Sequence, residues 1–369
     1  MSFPIDQNQV NNKTVPSHNL FGFDALIKHG HEVEWVCPDT HLNKWEKKLS
    51  KVLGVNFSKL LIQFKCISLS KNFDIIYSGH DMHLIILGFL RLLKICRKPV
   101  FVLCHFSYNL TYVKSVKSKW FKFIERYIVF AGIDRIVFAN ERLYNMAKEN
   151  FKIPYKHSKW VDWGADIEFF NNNSTTERLE NKFDYSSMPY FAAVGTANRD
   201  YSTLVSAFKR KQSINLKVFG RLGESISATN CKNITFYNLN QDEDISMILL
   251  SKYYLNSTAV LIPVLQENDV PNGATVLIEA LAAGKPVIIT DFDTNYIDVE
   301  KEGIGLKVKV RDVNGWTDAI TYLTNNPDIV TEMSLKAKLL ANTKFNYSIF
   351  TNKLINEIDL FYQTQKSQS

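Results

Sequence analysis

The stretch ENDVPNGATVLIEALAAGKPVIITD, residues 267–291, decides the fold. It follows the apolar run AVLIPV (259–264), so a strand enters a polar loop. Asn272-Gly273 then opens a helix, and Gly284-Lys285-Pro286 closes it into the next apolar run, PVIIT (286–290). Strand, loop, helix and strand in so short a span make a parallel crossover, the unit of sheets covered by helices on both faces. Free amides at the helix start carry partial positive charge and bind phosphate, and a glycine there permits close approach of a ligand. Glu279 falls about two turns into the helix, where a carboxylate accepts hydrogen bonds from both hydroxyls of a ribose.

The same alternation extends in both directions. Downstream of residue 189 the strands are YFAAVG (190–195), NLKVFG (215–220), NITFYN (233–238) and GLKVKV (305–310), with helices at YSTLVSAFKR (201–210), ISMILLSKYY (245–254) and WTDAITYLTNN (316–326). Two more helices follow from about 329. Upstream the strands are HEVEWV (31–36), FDIIYS (73–78), PVFVLC (99–104), DRIVFA (134–139) and SKWVDW (158–163), with helices at 21–30, 83–95, 120–132 and 141–151. The polar segment FNNNSTTERLENKFDYSSM (170–188) separates the two series and reads as a linker. The expected fold is therefore α/β, two Rossmann-like doubly wound domains facing a cleft. Residues 1–170 form the first domain, 171–186 the linker and 187–345 the second domain, with 346–369 a last helix packing back on the first.

A chain of 369 residues with 46% hydrophobic and 22% charged side chains buries sizeable cores and is neither fibrous nor disordered. Cys37, Cys66, Cys96, Cys104 and Cys231 are odd in number and well separated, the pattern of a reduced, cytoplasmic chain. The longest apolar stretch, HLIILGFLRLL, is broken by Arg91 and too short to span a bilayer, and the first residues have no signal-peptide pattern.

Charge is divided unevenly. Residues 1–165 hold 24 Lys and Arg against 13 Asp and Glu, whereas 166–369 hold 20 against 24. The excess concentrates in 91–160, where Lys114, Lys117, Lys119 and Lys122 are interleaved with aromatic residues such as Trp120. That mix suits an anionic membrane surface, at about 1 kcal/mol per juxtaposed base, and a solvated basic face remains the alternative. No nucleic-acid motif accompanies it, so no nucleic-acid partner is expected.

Glu279-Ala-Leu-Ala-Ala-Gly-Lys-Pro-Val-Ile288 resembles the signature of GT-B glycosyltransferases of the retaining family 4 type. Gly30-His-Glu-Val33, Trp163-Gly-Ala-Asp166 with Phe169 or Phe170, and Val194-Gly195 followed by Asn198-Arg-Asp-Tyr201 resemble further family segments, in the family's order. The resemblance implies a metal-independent enzyme, without a cofactor, that moves a sugar from a nucleotide diphosphate to a glycan acceptor. It implies a donor site of Glu279, Asn272, Gly273, Ala274, Thr275 and Gly195, with Arg199 and Arg221 meeting the diphosphate charge. His105, after PVFVLC, would lie beside the transferred sugar. Two features depart from the pattern. Pro271 stands where the family usually has a glutamate, leaving Glu267 or Asp269 to reach the sugar, and Ser17-His-Asn-Leu-Phe-Gly22 lacks a Gly-Gly pair, leaving His18 and Asn19 as substitute donors.

The basic amino-terminal half adds the expectation of a lipid-linked acceptor in surface polysaccharide assembly, met by an enzyme peripheral to the inner face of the membrane. A non-catalytic partner subunit and a sugar-nucleotide epimerase of the same fold are the competing readings. No His/Cys cluster has metal spacing, and Asp291-Phe292-Asp293 reads as a turn.

Overall fold

The computed structural model describes residues 14–36, 57–79, 84–105, 127–130, 132–151, 158–174, 189–220, 231–239, 245–266, 272–293 and 295–367, with Asn12, Trp45 and Lys48. The chain forms two compact units, each discontinuous in sequence. The amino unit is Leu20–Asp162 with Phe350–Ser369; the carboxyl unit is Met1–Asn19 with Trp163–Ile349.

In the amino unit the strands β1 (Ile76–Ser78), β2 (Val100–Cys104), β3 (Arg135–Phe138) and β4 (Ser158–Trp160) pair in parallel and in chain order. Every residue of β2 is buried, as a central parallel strand covered on both faces must be. The helices are α1 (Phe23–Lys28), α2 (Phe57–Leu69), α3 (Ile85–Leu92) and α4 (Glu141–Phe151). Leu84, Leu87, Val100, Val102, Ile136, Phe138, Leu143 and Tyr144 belong to one core. Gln63 of α2 accepts the amides of Ile86 and Leu87 at 3.1 and 3.0 Å, satisfying donors that open α3. Asp134 joins the sheet to α3: it accepts from Val100 N at 2.7 Å and from Arg91 at 2.6 Å. Gly88 is required by closeness, since a Cβ there would lie 2.2 Å from the carbonyl oxygen of Ile128.

In the carboxyl unit six parallel strands, β5 (Tyr190–Gly195), β6 (Asn215–Gly220), β7 (Ile234–Asn238), β8 (Val260–Ile262), β9 (Val287–Thr290) and β10 (Gly305–Val308), lie in the order β10-β9-β8-β5-β6-β7. This is the doubly wound order, with its reversal between β5 and β8. The helices are α5 (Ile167–Ser174), α6 (Tyr201–Lys209), α7 (Met247–Asn256), α8 (Ala274–Ala282), α9 (Val313–Asn325) and α10 (Pro327–Thr343). Asp200, Ser246 and Asp312 cap α6, α7 and α9 through the amides of Thr203, Leu249 and Gly315. The last helix, α11 (Tyr347–Lys366), contributes Glu357 and Phe361 to the amino unit, where they meet Lys159 at 2.6 Å and the ring of Phe101 at 5.8 Å.

Four features differ from the sequence expectations. Residues 31–36 keep the alternation of a strand, with Glu32 and Glu34 exposed, but no described strand pairs with them and no ladder forms. Helix α2 lies where the sequence pattern predicts no element, and α5 runs into the segment that reads as a linker. The division into 1–170 and 187–345 also shifts: 163–170 and the residues up to Asn19 group with the carboxyl unit. Trp163 donates its indole N–H to the His18 carbonyl at 3.2 Å, and the Ser17 amide donates to Asp166 at 2.9 Å.

Candidate functional site

Helices following β5 and β8 leave the sheet on opposite faces, which opens a crevice over the carboxyl ends of these strands. Two loops are laced together there. Arg199 forms an isolated antiparallel bridge with Val264, Asp200 N donates to Pro263 O at 2.9 Å, and Leu265 N donates to Asn198 O at 3.2 Å. The amide of Val264 in turn donates to the Thr290 hydroxyl at the end of β9, at 2.8 Å.

The Arg199 guanidinium rests on Gly195, where an added Cβ would lie 2.4 Å from Nε; one at Gly273 would lie 3.8 Å from Nη2 and 2.4 Å from Ile262. Both glycines have left-handed backbones, φ +138° and +88°, so conformation and space exclude a side chain together. Nε donates to Val194 O at 3.2 Å and Nη1 to Ala197 O at 2.8 Å. These two bonds fix the plane of a group with five N–H donors and leave Nη2 for a ligand. Among the described residues no carboxylate forms an ion pair with it. Burial pulls its pKa below the usual arginine value, partly opposed by Tyr201 and Tyr254. The result is a fixed cation at the switch point, with no carboxylate partner among the described residues.

Helix α8 starts beside it. Gly273 caps the helix with no side-chain bond, and the first intrahelical bond runs from Leu277 N to Gly273 O at 2.8 Å, so the amides of Ala274, Thr275 and Val276 have no partner within the helix. Asn272 and Thr275 are half-buried and Ala274 is buried.

Farther along α8, Glu279 is 3% exposed. Its Oε2 accepts from the Tyr254 hydroxyl at 2.8 Å, and its Oε1 lies 3.4 Å from Nε2 of His18, a side chain with no exposure at all. His18 Nδ1 accepts the amide of Asp166 at 3.1 Å, which assigns the ring proton to Nε2 and directs it at Glu279. Burial, then the charge and hydrogen bond of Glu279, push the Tyr254 phenol well above its ordinary pKa, so it remains a donor. These two donors hold the carboxyl group in place. The sequence points to Glu279 but gives no signal for Tyr254, which falls in the helix ISMILLSKYY. His18 was considered only as a donor to a ligand, and its bond to Glu279 spans 261 positions that no local pattern records.

The structure thus brings Gly195, Arg199, Asn272, Gly273, Ala274, Thr275 and Glu279 together in the carboxyl unit. His105 belongs to the amino unit, 3% exposed just past β2, with the ring of Phe21 edge-on at 4.8 Å. Glu267, Asp269, Arg221, Lys114, Lys117, Lys119, Trp120 and Lys122 lie outside the described residues. Asp291 faces Lys307 at 3.4 Å.

The family model Glycosyltransferase Family 4 matches residues 23–169, and the model Glycosyl transferases group 1 matches residues 178–340. No curated protein matches the sequence significantly. Among solved structures, a glycosyltransferase from Rickettsia africae is 15% identical with a TM-score of 0.65, covering 99% of this chain and 97% of its own. Sucrose-phosphate synthase from Thermosynechococcus elongatus is 14% identical with a TM-score of 0.66, covering 95% and 93%. Anabaena HepE in complex with UDP-glucose is 12% identical with a TM-score of 0.63, covering 97% of each chain. At such identities these are likenesses of fold. Taken with the two family models in tandem, they make this chain a glycosyltransferase of the GT-B fold, with a family 4 amino-terminal region followed by a group 1 carboxyl-terminal region.

Proposed function

We propose that the carboxyl unit binds a nucleotide diphosphate sugar at the β5/β8 switch point and that the enzyme passes the sugar, with retention, to a glycan acceptor. The observation that carries this reading is the Arg199 guanidinium between Gly195 and Gly273, without a carboxylate partner among the described residues, beside the first amides of α8, which have no partner within the helix. Charge grows on the diphosphate as the glycosidic bond breaks, and a preorganised cation with helix amides stabilises that charge most in the transition state. The departing phosphate oxygen takes the acceptor proton on the face it leaves, which preserves the anomeric configuration. Arg199 and the helix do the work that a divalent cation does elsewhere, so transfer needs no added Mg2+ or Mn2+. Glu279, held by Tyr254 and His18, accepts the ribose hydroxyls. The UDP-glucose complex of HepE shows that a chain of this fold takes such a donor.

The acceptor is lipid-linked and the enzyme peripheral to an anionic membrane. No helix among the described residues is long and apolar enough to cross a bilayer. The amino unit does expose Leu61 and Phe64 of α2 and Phe89, Leu92, Leu93 and Ile95 in and after α3, the last 64% exposed, with Lys65, Lys94 and Arg97 also exposed. Apolar side chains with a basic surround suit a headgroup boundary.

Thermal unfolding against uridine, guanosine and adenosine diphosphate sugars tests the donor site. A ligand at about 100 times its Kd adds roughly 2.7 kcal/mol, several degrees in Tm. One nucleotide should shift wild type and not Glu279→Ala; no shift with any overturns the reading. Epimerised donor without an acceptor would mark an epimerase. Leu93→Glu with Ile95→Glu should abolish cosedimentation with anionic vesicles, and unchanged binding overturns the membrane claim.

A further inference from the structure

We propose that His29, His31 and Asp359 form a binding site for a divalent transition-metal ion of the Zn2+ class, one that fastens α11 to the end of α1 within the amino unit. The site stands apart from the donor chemistry above and from every residue invoked there.

Its geometry comes from a turn and a helix. Helix α1 ends at Lys28, and Gly30, with φ +95°, turns the chain in a way that favours glycine. The residues on either side of that turn are both histidines, and their rings stack at 5.7 Å with 26° between planes. Asp359 of α11 reaches both: Oδ1 lies 3.3 Å from His31 Nε2, and Oδ2 lies 3.7 Å from His29 Nε2. One ligand atom from each of the three residues falls within 4.8 Å of the others. Metal–ligand bonds of about 2.0–2.2 Å in a tetrahedron set neighbouring ligand atoms about 3.4 Å apart, so the His31–Asp359 spacing already has the length of one edge.

The resting contacts leave this cluster poorly satisfied. Nε2 of His31 is sealed from solvent and makes no hydrogen bond, because Asp359 approaches at an unsuitable angle. A metal ion takes an imidazole lone pair and a carboxylate oxygen in directions that the pair cannot use with each other. Two imidazoles and a carboxylate are a donor set for Zn2+, which leaves a fourth position for water. A cavity of about 330 Å3 lined by His31, Glu32, Asp74, Asp359 and Tyr362 gives that water room. His29, the most exposed of the three with a side chain 56% accessible, provides the route of entry.

The ion would link residues 330 positions apart in sequence and belonging to one unit, and would stabilise that unit by mass action. The test is equilibrium dialysis of the full chain against Zn2+, with thermal unfolding of the same samples. Wild type should hold one more Zn2+ per chain than His29→Asn or Asp359→Asn at matched free metal. Each variant should weaken that site by more than the roughly 10–100-fold that loss of an outer-shell partner alone produces, and the Zn2+-induced rise in Tm should vanish. Zn2+ held by cysteines or other histidines would persist in both variants and is subtracted by the comparison. Should Asp359→Asn disturb α11, seen as a lower metal-free Tm, His29→Asn on the exposed side still decides. Equal stoichiometry and equal shift in wild type and His29→Asn overturn the proposal, as does wild type that binds no Zn2+.

Discussion

The two sheets are made of the same parts and put them to different use. In the amino unit four parallel strands follow one another in chain order, so the described sheet has no reversal. In the carboxyl unit the order turns back between β5 and β8, and the fixed cation, the open helix amides and the held carboxylate all gather at that turn. A reversal sends successive helices to opposite faces and opens a crevice without any special residue. Gly195 is small enough to let the Arg199 guanidinium rest against the backbone there, and under the proposed function Gly273 lets a ligand approach the start of α8.

The largest way to break this contrast is Arg199→Ala. If the switch point carries the transition-state charge, kcat should fall by about 10²–10³ with Tm little changed, whereas Lys159→Ala in the amino unit, which severs only an exposed pair with Glu357, should leave kcat alone. A fall of less than tenfold for Arg199→Ala would remove the cation from the mechanism.

Smaller effects ask whether both units are equally close-packed. A Cβ at Gly164 would meet the carbonyl carbon of Phe345 at 2.2 Å, and one at Gly88 would meet Ile128 O at the same distance. Gly164→Ala and Gly88→Ala should each destabilise by about 1–3 kcal/mol, read from denaturant midpoints, one in each unit. A silent Gly88→Ala would show that the amino unit yields where the carboxyl unit does not.

Alkaline titration sharpens the comparison further. Burial raises the phenols of Tyr201 and Tyr254 in the carboxyl unit and of Tyr77 in the amino unit above their ordinary value near 10. Below that pH both folded and unfolded chains hold these protons, and stability does not depend on them. Above it the unfolded chain loses them first, so stability falls by about 1.4 kcal/mol per pH unit for each phenol. Tyr201→Phe should remove one proton's worth of that slope. The smallest effect is Asp312→Ala, which uncaps α9 and should cost about 1 kcal/mol; an unchanged Tm would show that the cap bond to Gly315 adds nothing.

Legibility followed the same divide. The 267–291 signature located α8 and β9, and every strand of the carboxyl unit coincides with an apolar run, because buried parallel strands need continuous β-branched and aromatic sequence. HEVEWV has that sequence and still forms no ladder among the described residues, since pairing belongs to two segments and a local pattern records only one. Arg199 and the glycines around it were visible as a local motif. The bonds of Tyr254 and His18 to Glu279 close over distances in sequence that periodicity does not reach. Ser17 and Asp166 hide for the same reason: the amide–carboxylate bond between them draws the opening segment into the carboxyl unit.

That exchange of ends has a consequence during synthesis. Residues 350–366 of α11 complete the amino unit, so Phe101 and Lys159 wait for Phe361 and Glu357 until nearly the whole chain has been made. Domains commonly fold on the ribosome in order of emergence, at about 5–20 residues per second. Here the unit that holds most of the early chain must wait for α11 before its packing is complete.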